Sequence, residues 1–187
     1  MKYPHWQYYM SILRDLEVFS RYVEISPDNY ATYGVELTRL LLSAGSEIDV
    51  VAKLLCKEVN SGIFADSIND YQQILMQRFP HLPEIEVSLP KYLISLKPWS
   101  DWIDNKTPKW WNCYNKVKHQ RSDHFREANL ENTLLATSGL CILVCYLYHE
   151  NLSSLTGITP LFMFLDRKYM TGGVSVLTRT GYVLPDF

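Results

Sequence analysis

Apolar residues recur at steps of three and four over much of this chain. From Trp6 to Val23 they fall at Tyr9, Ile12, Leu13, Leu16, Phe19 and Val23, which predicts one face of a helix. The turn-rich stretch 24–32 ends it at Pro27. A second stripe, Leu37, Leu40, Leu41, Ala44, Ile48, Val51 and Leu55, predicts a long helix from about Tyr33 to Val59, stopped by Asn60-Ser61-Gly62. A third helix is expected from Asp66 to Phe79, capped by Asp66 or Ser67 and terminated by Pro80.

Between Pro80 and Pro98 the period changes. Ile85 to Leu89 and Tyr92 to Leu96 alternate apolar and polar residues, which predicts a small β-hairpin over 85–96. A fourth helix is expected near Thr107-Pro108, with threonine as cap and proline in the first turn. A fifth, from about Ala128 to Tyr148, is apolar nearly all round and therefore central. The remaining segment, 151–187, differs in kind. Leu161 to Leu165 and Val174 to Leu177 read as extended, with Gly172-Gly173 and Gly181 as turns. The fold class is mainly α: a bundle of about five helices over 1–150, then an extended C-terminal arm packed on the bundle or on a second subunit.

Composition narrows this picture. The chain has 187 residues, 47% hydrophobic, 13% aromatic and 20% charged, enough for one domain with a sizeable core and unlike a disordered, collagenous or coiled-coil chain. A net charge of −2 argues against coating nucleic acid with the whole surface, so any such contact is local. Met1 to Arg14 does not read as a secretory signal. The longest apolar run, Leu134 to Tyr148, is about fifteen residues, short of the roughly 20 that cross a bilayer. It reads as a core helix, and no membrane association is expected. Cys56, Cys113, Cys141 and Cys145 form no CxxC and read as buried free thiols in a reducing cytoplasm. Neither a metal nor a cofactor is expected: phosphate-loop, dinucleotide and zinc-protease signatures are absent, and His124 and His149 read as surface positions.

Chemistry concentrates in residues 108–121. On a helix, Trp110, Cys113, Tyr114 and Val117 share one face, while Asn112, Asn115, Lys116 and His119 share another. Between Asn105 and Ser122 stand Lys106, Lys109, Lys116, Lys118 and Arg121 with no acid, leaving thirteen basic and twenty acidic residues elsewhere. A cationic strip on an otherwise acidic protein suits a phosphate, although a solvated helix face has the same composition. Trp110 and Trp111 read as packing residues before they read as a base-stacking platform.

Tyr114-Asn115-Lys116-Val117-Lys118-His119 resembles the signature of HEPN domains: an arginine, a polar residue, three variable residues and a histidine. Asn115 and His119 match it, and Tyr114 stands where the arginine is expected. The paired tryptophans and the Lys-His-x-Arg continuation are similar to small bacterial HEPN-type proteins. With the order of helices, the resemblance extends over about residues 5–150.

The resemblance implies a metal-independent ribonuclease built across a homodimer, in which the 2′-hydroxyl attacks the adjacent phosphorus. His119 would position or deprotonate that hydroxyl, and Asn115 would orient the histidine or the phosphate. Arg121, Lys116 or Lys118 could stand in for the missing guanidinium, although a lysine lacks its bidentate geometry. Lys116, Lys118, Asn112 and Lys109 would hold phosphates, with Tyr114 supporting the site. Glu47, at the edge of the second stripe, is expected to pair with His119, Lys116 or Arg121. The partner under this reading is RNA or a nucleotide. The alternative is a non-catalytic helical interaction or dimerisation module in a defence or toxin–antitoxin context, with a protein partner. In that case His119 simply favours a helix C-terminus.

Overall fold

A computed structural model describes residues 2–155, 162–171 and 181–187. Its helices are α1 (Pro4–Phe19), α2 (Val35–Val59), α3 (Ile68–Arg78), α4 (Lys109–His124), α5 (Leu130–Leu147) and a single turn, α6 (Leu152–Leu155). The protein is mainly helical, as the periodicity predicts. α1 stops at Phe19, short of Val23, because the chain turns there and the Val23 N–H bonds back to the Phe19 carbonyl at 3.2 Å. α2 buries its whole predicted stripe. α3 begins with a capping box in which Ser67 and Asp70 each accept a backbone N–H of the other's turn.

α5 is the hub. It is apolar on every side, and its most extensive contact is with α2. Its eighteen residues have the length and apolarity of a membrane span, but most of that surface is buried inside the protein. The four cysteines are free and buried.

The hairpin is present: β1 (Val87–Leu89) and β2 (Ile94–Leu96) run antiparallel, Val87 opposite Leu96 and Leu89 opposite Ile94. Their link is a 3-10 turn, Pro90–Tyr92, closed by Leu93 in the left-handed region at φ 55°. On the other edge of β1 lies β3 (Phe164–Leu165), also antiparallel, so the arm completes a three-stranded sheet in the order β2-β1-β3. The arm therefore packs on its own bundle over 162–165, where Phe162, Met163, Phe164 and Leu165 are buried and the Tyr9 hydroxyl donates to the Met163 carbonyl at 2.8 Å. β4 (Met170–Thr171) pairs with β5 (Gly181–Tyr182), so Gly181 opens a strand instead of forming a turn. The predicted extended run 174–177 and the Gly172-Gly173 turn lie outside the described residues.

Two charged contacts fasten the arm. The Glu86 carboxylate takes Lys168 at 2.9 Å and Lys97 at 3.0 Å, joining arm and hairpin. His81 Nδ1 stands 2.8 Å from Asp186 Oδ1. Beside it Phe187 stacks on His149, which the sequence placed at the surface and the structure half-buries.

The hydrogen bonds from Lys168, then Lys97, hold the Glu86 carboxyl below its ordinary range. A lowered folded pKa contributes stability above the unfolded value of about 4.3 and loses it as pH falls through the folded one. Glu86→Gln is thus expected to lower the denaturation midpoint at neutral pH and to converge on the wild type as the pH falls below the lowered folded pKa. A difference that does not shrink as the pH is lowered would show that the carboxylate charge is not what holds the arm.

Candidate functional site

α4 is built from both ends by groups that sequence patterning misplaced. Thr107 is not its cap. Asp101, eight residues upstream, accepts the Lys109 N–H at 3.0 Å, while the Thr107 hydroxyl turns to Asn69 Oδ1 at 3.3 Å. A carboxylate there satisfies an orphan donor and opposes the positive end of the helix. Near the other end Gln120 leaves helical geometry, at φ −141° and ψ 53°, so residues 109–119 form one rod and 121–124 another.

The anchored face is the predicted one, with Trp111 added: Trp110, Trp111, Cys113, Tyr114 and Val117 are all buried. Trp110 donates its indole N–H to the Pro98 carbonyl at 2.7 Å and meets Trp99 edge-to-face at 5.1 Å. Cys113 reaches Glu127 Oε2 at 3.2 Å; burial, and then that carboxylate, push its thiol up to about 11, which favours the thiol over the thiolate. Tyr114 is 3% exposed and lies flat on α2 at Gly45, where a Cβ would come within 2.4 Å of the ring. Lys118 Nζ lies 5.5 Å from the centroid of the same ring.

On the opposite side Asn112, Lys116 and His119 are exposed and Asn115 is half-buried, so the predicted polar row is real and open to solvent. The strip is less acid-free in space than in sequence. Lys116 Nζ is 3.9 Å from Glu127, Lys106 is 3.1 Å from Asp104, and Asp101 sits at the start of the helix. Lys109, Lys118 and Arg121 are exposed and make no ion pair among the described residues. Lys118 and Arg121 flank His119 near the C-terminal end of α4, where Asp123 is the nearest acid in the chain, and Lys109 stands at the other end.

Arg121 does not extend the Asn112–His119 row. Past the Gln120 break it stands with Ser122 against α2, lining an open cavity of about 710 Å³ with Val35, Thr38, Leu42 and Phe125.

Glu47 is not part of this site. Its Oε1 lies 2.6 Å from His5 Nδ1 in α1, and both side chains are largely buried. The two first helices pack on each other, and α1 fills the rim of the α2 stripe that α4 was expected to reach. His5 went unread in the sequence; its one signal is its place a turn before Tyr9 on the buried face of α1. His5 also borders a cavity of about 360 Å³ with Leu54, Lys57, Glu58, Leu147 and Tyr148. Burial pushes the Glu58 carboxyl up, His149 pulls it back and Glu150 adds to the rise. Among the described residues, no three His, Cys, Asp or Glu side chains gather as a metal site would require.

Comparison with protein-family models, with curated proteins and with solved structures finds no match for this chain.

Proposed function

We propose that this protein holds RNA, or a nucleotide, on the open face of α4, as a degenerate relative of HEPN ribonucleases that binds without cutting. One observation carries this reading. Lys118, His119 and Arg121 stand exposed with no acid paired to them, while the arginine position of the resemblance, Tyr114, is in the core. Lys118 and Arg121, on either side of the Gln120 break, can each neutralise a phosphate and release its counterions, which gives affinity without chemistry. Cleavage asks for more. Attack by a 2′-hydroxyl needs a base on one side of the phosphorus and donors aimed at the developing oxyanion on the other. Within one chain, His119 has no hydrogen-bond partner among the described residues to orient it. A homodimer that faces two α4 helices would double the cationic surface, and the reduced cysteines suit the cytoplasm.

The test is filter retention of single-stranded RNA at low salt in chelator, with the RNA then resolved by length. Intact, retained RNA is expected. Lys118→Gln and Arg121→Gln should each weaken retention and flatten the dependence of log affinity on log salt by about 0.7. Metal-independent cleavage lost in His119→Ala would replace this reading with the ribonuclease. No retention at low salt would replace it with the interaction module, which the buried Tyr114 also suits.

A further inference from the structure

The break at Gln120 gives the cationic end of α4 a neighbour that a straight helix would lack. It turns Arg121 and Ser122 onto α2, where the cavity of about 710 Å³ opens. Its other walls are hydrocarbon from Val35 and Leu42, the Thr38 side chain, whose hydroxyl is already bonded to the Gly34 carbonyl, and the ring of Phe125. That volume suits a ligand the size of a nucleoside.

Two arginines border the space, and they differ. Arg39 is held by Asp15 and Glu36, each at 2.5 Å, so its charge is committed to two carboxylates and is not free for an incoming anion. Arg121 has no ion pair among the described residues and stands two positions from His119. Just outside, Phe125 meets Tyr33 edge-to-face at 5.5 Å, and the Arg126 guanidinium lies 5.6 Å from the Tyr33 ring centroid. Tyr33 is 42% exposed. Trp110 and Trp111 offer no platform because both are buried. An accessible aromatic edge lies here, at the border between an apolar hollow and the Arg121 guanidinium.

We infer that this cavity is a base-binding subsite, into which one base of a single-stranded RNA turns while the adjoining phosphates lie on Arg121, His119 and Lys118. The inference rests on the RNA-holding reading of α4 and adds what that face lacks: a means of telling a base-bearing single strand from bare phosphate or a duplex. Unpaired bases have free faces and edges, and they stack on aromatic rings and guanidinium planes with little regard to sequence. Bases inside a duplex cannot reach a hollow set beside the backbone track.

The experiment compares three probes by fluorescence anisotropy at low salt: an adenosine octamer, an abasic ribose-phosphate octamer of the same charge, and a duplex of the same length. Wild-type protein should bind the adenosine octamer about tenfold more tightly than the abasic one, and the duplex no better than the abasic one. Phe125→Ala removes the ring wall, and Ser122→Leu fills the hollow from its exposed rim, where folding is not at risk. Both should bring the adenosine octamer down to the abasic affinity and leave the abasic affinity unchanged. Equal wild-type affinity for the adenosine and abasic octamers, duplex binding as tight as the adenosine octamer, or cavity variants without effect would each overturn the subsite while leaving the cationic face standing. Failure of the wild type to bind any probe would overturn both.

Discussion

Tyr114→Arg, which places an arginine at the position where the resemblance expects one, is expected to destabilise the protein by about 3–5 kcal/mol and to confer no ribonuclease activity. The position is 3% exposed, and its ring occupies the space that Gly45 leaves open on α2. A guanidinium there loses its hydration and has Lys118 beside it. Tyr114→Phe keeps the flat contact and should change stability by less than about 1 kcal/mol. Urea denaturation followed by circular dichroism measures both, and an RNA digest in chelator measures the activity. A Tyr114→Arg protein with wild-type stability and new cleavage would show that this position is a working site and not core.

Trp110→Ala is the second large effect, expected at about 3–5 kcal/mol. The indole is 1% exposed and lies between Trp99 at 5.1 Å and Trp111 at 5.8 Å. Truncating it opens a cavity and strips the Pro98 carbonyl of the indole N–H that now reaches it at 2.7 Å. Gly139 on α5 shows how tight this cluster is: a Cβ there would meet Trp99 at 3.2 Å and Trp110 at 3.3 Å. α4 is thus held by aromatic rings pressed on a glycine of the hub helix, which keeps its other face free for solvent. A loss below about 1 kcal/mol on urea denaturation would mean that α4 is anchored elsewhere.

Local pattern made most of the fold legible. The stripes of α2 and α4 buried the residues their spacing singled out, because helical periodicity and burial are the same geometric statement. What could not be read was set by distant parts of the chain. Glu47 met His5, forty-two residues away, and not the cations of α4, since a stripe edge names no partner. Thr107 lost the cap to Asp101 because a carboxylate from the preceding 3-10 turn reached the free N–H. The Gln120 break has no proline or glycine to announce it, so Arg121 was read on one continuous helix. The row of Asn112, Asn115, Lys116 and His119 survived because it ends before the break.

Tyr9 donates to a carbonyl 154 residues further along, and Tyr3 to Asn151. During synthesis, α1 therefore leaves the ribosome long before the groups that complete its surroundings exist. Until residues 162–165 emerge, the nascent chain lacks the carbonyl that Tyr9 bonds and leaves Trp6, whose ring later meets Phe164, without that cover. Such long-range closure makes the last step of folding slow relative to the local helices. It gives a chaperone an interval in which the amino-terminal helix is still available to grip.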